Sequence, residues 1–244
     1  MNKTPEIQDV GHEIAEAQEA ARVCRDNYEG IEAMREAGTL YLPKNPRETD
    51  ADYKLRLNLT DYFPALQHAV HAYIGKPLGS PIVVDGAPGE VEKTLSNVDL
   101  AGNDLDMWAR CSLTCGLVDG VTFAVADYPR VPAGSTLAQE RALGARPYLV
   151  HVPLENVVDI HYGLVGGAQK ITHFRYEECA RVPEGRWGSR EVERIRVLEP
   201  GLVEVWEVQK DVNGKAVWVL LQDLSGPVSL TEVPVAKFSA MNED

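Results

Sequence analysis

Val203-Glu-Val-Trp-Glu-Val-Gln-Lys-Asp-Val-Asn-Gly-Lys-Ala-Val-Trp-Val-Leu-Leu221 decides the fold. Two runs rich in Val, Trp and Leu flank Asn213-Gly214, a dipeptide that accepts the positive φ angles of a tight hairpin turn. The reading is an antiparallel hairpin, and the same pattern extends to both sides of it. Short β-branched and aromatic segments fall at 147–152, 156–162, 169–177, 191–198, 202–209, 216–222 and 228–237. Gly166-Gly167, Pro183-Glu184-Gly185, Pro200-Gly201, Asn213-Gly214 and Ser225-Gly226-Pro227 punctuate them. Strands of this length separated by turn residues make a β-meander. Its expected core is Ile171, Phe174, Ile195, Val197, Val205, Trp206, Trp218 and Leu220, with Trp206 and Trp218 paired across the hairpin.

Upstream of about Arg146 the period changes. Ile14, Ala17, Ala21, Cys24, Tyr28 and Ile31 recur every three or four residues, which predicts one helix over 11–37 ending at Gly38. The stripe is narrow and suits docking against another helix or a neighbouring subunit. Leu40–Pro43 reads as extended. Thr49 and Asp52 cap a second helix carrying Leu55, Leu59 and Tyr62, which continues after a kink at Pro64 through Leu66, Val70 and Tyr73 to Gly75. A short strand at Pro81–Val84, a helix over 102–117, a strand at Thr122–Ala126 and a short helix at Ser135–Arg141 complete this part. The expected class is α+β: N-terminal helices with a short mixed sheet over 1–145, then an antiparallel β-meander over 146–244.

The composition is that of a chain able to fill a core, with 44% hydrophobic and 25% charged residues. The formal net charge of -13 argues against a protein that wraps DNA, because that requires clustered Lys and Arg. The first residues carry no apolar signal-peptide core, and no apolar run is long enough to span a bilayer. Cys24, Cys111, Cys115 and Cys179 are scattered, the pattern of reduced intracellular thiols.

Motifs for chemistry are sparse. Cys111 and Cys115 share a helix face but lack a second ligand pair, so they read as small apolar residues. His151, His161 and His173 lie in consecutive strands and could converge on zinc or iron, although no short ligand spacing supports it; no metal site, catalytic residue or cofactor is assigned. Gly163–Lys170 lacks the glycine before the lysine and the helix that a phosphate loop needs, and reads as a hairpin turn. Without such a loop Asp127 ends a strand rather than holding magnesium.

Several blocks occur together in order: Arg25-Asp-x-Tyr-x-Gly30, Met34-Arg35-x-Ala-Gly38, Tyr41-Leu-Pro43, Tyr53-x-x-Arg56-Leu57 and Val70-x-x-Tyr-Ile-Gly75-Lys-Pro77. After them come Asp99-x-x-Gly102, Trp108, Leu117-x-x-Gly120, Val125-x-Asp127-Tyr-Pro129, Arg146-Pro-Tyr148, Glu155-Asn-Val-Val158, Arg194-x-Arg-Val-Leu198 and Glu232-Val-Pro234-Val235. Over about 20–238 this order resembles the N-terminal half of a portal-like protein family of tailed phages and prophages. The resemblance implies a non-enzymatic, wing-like structural subunit of a ring at the capsid vertex. Its partners would be other portal subunits, terminase, capsid and head–tail connector proteins, and DNA would pass without specific binding. The expected location is the virion, and the host cytoplasm during assembly. Family members continue into a helix-rich second half, so the chain reads as truncated after the Val-Pro-Val block, with Ala240–Asp244 a frayed or cut end. The alternatives are an accessory module that binds proteins through a β-edge and, in a different class, a phage enzyme using magnesium at Asp127 with further carboxylates.

The charge balance gives a direct expectation. Fluorescence titration with duplex DNA at physiological salt should detect no binding. Micromolar binding that weakens steeply with added salt would reveal a local basic patch that outweighs the net charge.

Overall fold

A computed structural model describes residues 6–132 and 134–240. The fold is α+β. The helices are α1 His12–Glu29, α2 Ile31–Ala37, α3 Asp50–Leu59, α4 Ala65–Gly75, α5 Gly89–Glu92, α6 Leu105–Asp119 and α7 Leu137–Ala142. The strands are β1 Val121–Asp127, β2 Tyr148–Pro153, β3 Val157–Val165, β4 Ala168–Glu184, β5 Gly188–Glu199, β6 Leu202–Lys210, β7 Ala216–Leu220, β8 Gly226–Pro227 and β9 Val235–Ser239.

Two antiparallel sheets result. β3 to β7 form the meander in sequence order, with β8 beside β6. Gly166 and Gly167 both take positive φ between β3 and β4, a conformation only glycine adopts freely, whereas between β6 and β7 Gly214 takes positive φ and Asn213 does not, so that hairpin closes through a loop over 211–215 in place of a two-residue turn. The second sheet has the order β2-β1-β9. Its central strand, β1, comes from the helical first part of the chain, and both partners come from the later part.

The sheets share a core. Phe123 and Val125 of β1, Val152 of β2, Val157 of β3, Phe174 and Tyr176 of β4 and Leu198 of β5 are buried together. Phe123 and Phe174 are 5.3 Å apart between ring centroids. α6 then lies on β1 and β2, and α1 and α4 lie on α6. Asp104 starts α6 by accepting the Met107 N–H at 2.8 Å, and Gly120 in the left-handed region ends it and turns the chain into β1.

Several expectations change. The helix expected over 11–37 breaks at Gly30, whose φ of 97° gives two helices in place of one. The face of α1 that docks is Ile14, Ala17, Gln18, Ala21, Arg25 and Tyr28, and Cys24 is exposed. Arg25 fixes the packing by an ion pair of 3.0 Å to nearly buried Asp119 of α6, and the Gln18 side-chain amide donates to the Leu154 and Val157 carbonyls. The stripe is therefore satisfied within the chain. Gly38–Leu40 is a 3-10 turn and the chain bends at Tyr41–Leu42, because the Tyr41 and Leu42 amides both bond back to the Gly38 carbonyl.

Thr49 caps α3 as expected, accepting the Asp52 amide at 3.2 Å. Leu55 and Leu59 do not pack, however, and α3 buries no residue. Polar contacts hold it: Arg56 pairs with Glu48 at 2.8 Å and keeps that carboxyl down at about 2, while Arg35 donates to the Asn58 carbonyl at 2.7 Å. α3 and α4 are separated by Thr60–Pro64, and Tyr62 in that link donates to the Asn27 carbonyl at 2.6 Å. On α4 the buried residues are Val70 and Ile74, while Tyr73 is exposed. Pro81–Val84 is not a strand; Pro81 has no donor and the Ile82 amide bonds the Asp106 carboxylate at 2.7 Å.

In the meander, Phe174, Ile195, Val197 and Val205 are buried as expected. Ile171, Trp206, Trp218 and Leu220 are only half-buried. Trp206 stands opposite Leu220 and Trp218 opposite Val208, so the two indoles are diagonal neighbours rather than a facing pair. The Trp206 indole N–H donates to Glu204 at 2.9 Å, which holds its edge at the surface.

Replacing Phe174, 0% exposed, with Ala should cost about 3–5 kcal/mol in urea unfolding, whereas Leu55→Ala should stay within about 0.5 kcal/mol. Comparable losses at the two positions would contradict a core shared by the sheets and a helix held by polar contacts.

Candidate functional site

Asp127, Tyr148 and Arg196 come from three of the blocks quoted above and meet where the two sheets touch. Asp127 ends β1, Tyr148 begins β2 in register with it, and Arg196 sits inside β5. Asp127 Oδ2 accepts from both the Tyr148 hydroxyl and the Arg196 guanidinium. Glu178, two strand positions beyond Tyr176, lies 3.0 Å from Arg196 Nε. Desolvation pulls the Arg196 pKa down, but the surrounding tyrosines and carboxylates outweigh it and hold Arg196 above its ordinary value. Burial, then the bond to Asp127, pushes Tyr148 well up, and burial alone does most of the same to Tyr176. Both phenols are therefore neutral donors at neutral pH. Tyr176 is buried, and its hydroxyl finds no partner among the described residues.

Asp127, Tyr148 and Arg196 border a cavity of about 640 Å³ that is also lined by Tyr128, Arg130, Glu140, Leu224 and Leu230. Asp127 is thus an ion-pair and hydrogen-bond acceptor that joins the sheets. Among the described residues it belongs to no group of three or more potential metal ligands, the arrangement that a magnesium-dependent enzyme reading would need.

The three strand histidines separate. His151 belongs to β2, where its Nε2 lies 2.8 Å from Thr122 Oγ1 and its ring meets Trp108 edge-on. Burial lowers its pKa, so the half-buried ring is uncharged at neutral pH. His161 and His173 face each other across β3 and β4, with ring centroids 4.8 Å apart. Asp159 joins them, and one ligand atom from each of the three lies within 4.8 Å of the others. Sequence reading missed Asp159, whose place follows from period two: it is two residues before His161 and shares its face.

Cys111 is exposed and Cys115 half-buried on α6. Burial, and then Asp119, pushes the Cys115 thiol up to about 11, so it is a protonated packing residue at neutral pH. Gly163–Lys170 forms the β3–β4 hairpin, and Lys170 pairs with Glu232 at 2.6 Å.

Two surfaces stand out on the exterior. The first is a projecting arm. Among the described residues, 179–184 of β4 and 188–193 of β5 pair only with each other, beyond the reach of β3 and β6. Trp187 at its tip is 86% exposed, with the Arg186 guanidinium 4.4 Å over its ring. The second is helical: Leu55, Leu59, Phe63 and Tyr73 on or beside α3 and α4 are exposed, as are Met107, Leu113 and Leu117 on α6.

No protein-family model matches the chain, and no curated protein matches it.

Arg196→Met would leave Asp127 and Glu178 without their shared cation. It should cost about 3–5 kcal/mol in chemical denaturation at neutral pH. A loss below about 1 kcal/mol would mean that the cluster is solvated in the free protein.

Proposed function

We propose that this chain is a structural subunit of a tailed-phage virion, acting as part of a portal-like ring without catalytic activity of its own. The projecting arm carries the reading. A two-stranded ribbon is marginal in water unless something packs on it. Here the ribbon runs out from the meander, held across its strands by pairs such as Arg181–Glu191 at 3.0 Å, and ends in an exposed tryptophan. An element of that shape suits contact with a neighbouring subunit, where an exposed Trp beside an Arg makes a strong anchor. The exposed apolar side chains of α3 and α4 fit the same role, since a ring buries on each subunit two different patches that meet head to tail.

The ordered sequence blocks support the portal reading from a second direction. Three of them supply Asp127, Tyr148 and Arg196, and two others supply Arg25 and Glu155, which lie 3.5 Å apart. These five blocks thus supply contacts that hold the subunit in shape, as a structural protein requires. The acidic net charge suits a surface past which DNA moves without sticking.

Sedimentation velocity over a wide concentration range tests this. The chain should associate weakly and reversibly, and Trp187→Glu or Leu59→Glu should reduce association at least about tenfold with the fold intact, as charge placed in a buried interface core does. A strict monomer at all concentrations, or association indifferent to both substitutions, would count against the reading.

A further inference from the structure

We propose that Asp159, His161 and His173 form a binding site for a divalent transition metal of the zinc class on the outer face of the meander. The site is independent of the role in assembly.

Strand geometry builds it. Asp159 and His161 are two apart on β3 and point to the same face. His173 of β4 stands directly opposite His161 and Arg175 directly opposite Asp159, which brings all four to one patch. The imidazole planes are 25° apart with centroids at 4.8 Å, and His161 Nε2 lies 3.1 Å from Asp159 Oδ2. Two imidazoles and a carboxylate thus present their donor atoms to one point, the donor types that a transition-metal ion shares.

The surroundings supply what a ligating histidine uses. His173 Nδ1 lies 2.8 Å from Glu199 Oε1 of β5. With the proton on Nδ1 donated to Glu199, Nε2 presents its lone pair, the carboxylate–histidine arrangement that orients metal ligands. Asp159 is oriented in turn. Its Oδ2 accepts from Arg175 at 2.9 Å and its Oδ1 accepts the Ile160 amide at 3.0 Å. Arg175 is itself fixed by the Ile7 carbonyl at 2.8 Å. Asp159 and Glu199 against Arg175 leave the neighbourhood one charge negative before a cation enters. Arg175 weakens the site by its charge and holds the carboxylate still.

The donor set decides the class of ion. Two imidazole nitrogens and one carboxylate oxygen suit Zn(II), Co(II), Ni(II) or Fe(II), and give Mg(II) and Ca(II) too few oxygens. His161 is 62% exposed on its side chain, so water can complete the coordination. Bound there, the ion would tie β3 to β4 beside the point where the Gly11 amide bonds the Val158 carbonyl and the N-terminal segment joins the sheet.

The test is titration of the whole chain with Co(II), followed by visible absorption, and then displacement by Zn(II). One equivalent should bind, with no thiolate charge-transfer band of the kind Cys111 or Cys115 would give. Zn(II) should raise the melting temperature, and an excess of Mg(II) should not compete. His161→Ala and His173→Ala should each weaken binding at least about tenfold, and Glu199→Gln should weaken it by about ten- to a hundredfold. The exposed position of His161 makes its variant the safest to fold, and circular dichroism checks all three. Lowering the pH to about 5 should release the ion as the imidazoles take up protons. Equal affinity in wild type and the His161→Ala/His173→Ala double variant would overturn the proposal, as would no binding at millimolar metal.

Discussion

The contact between Phe123 and Phe174 is the constraint on which the rest of the structure depends. Neither sheet is closed: the meander and the β2-β1-β9 sheet each have an apolar face that would stand in water alone. Packing β1 against β4 and β5 removes both faces at once, and Phe174 and Tyr176 become fully buried. Burial of this kind contributes on the order of 2–3 kcal/mol per large apolar side chain. It also brings Asp127, at the end of β1, to Arg196, in the middle of β5. The polar cluster is therefore a consequence of the apolar contact, and its geometry is fixed by strands on both sides.

Once the core is placed, the positions of the helices follow. α6 covers the outer face of the small sheet, and α1 is fixed on α6 by Arg25 and reaches β3 through the Gln18 bond to the Val157 carbonyl. α3 is different, a helix tethered by Arg56, Arg35 and Lys44 with its leucines in solvent. A chain that places its apolar residues this way leaves a packed body with exposed apolar parts at its margins: the arm ending in Trp187 on one element, the leucines of α3 on another. Such a distribution suits a protein whose partners complete it.

Much of this was legible in the residues. Gly166-Gly167 announces its hairpin because few other pairs tolerate consecutive positive φ, and Asn213-Gly214 marks the β6–β7 loop through Gly214, which takes positive φ while Asn213 does not. The strands of the meander follow from their turns, and Thr49 marks the start of α3 by local bonding. Other features depend on distant partners. Gly30 could have been spanned by a helix, since glycine inside one is tolerated, and the break goes with the docking of Arg25 on one side of it and of Arg35 on the other. β1 and β9 are 114 residues apart between Val121 and Val235, and no local pattern records their pairing. The half-buried state of Trp206 depends on what covers the outer face, which alternation alone does not specify. The histidine cluster lay between these cases. The pairing of His161 with His173 needed the hairpin register, and Asp159 needed only the period of the strand.

Hydroxyl-radical footprinting of the protein at low and high concentration tests most directly the proposal that a shared core carries margins that dock on a second copy. Trp187, Leu55, Leu59 and Phe63 should lose labelling as concentration rises, while Phe174 and Tyr176 stay protected throughout. Labelling of the exposed set that does not change with concentration, or core residues that label as readily as Trp187, would contradict the account.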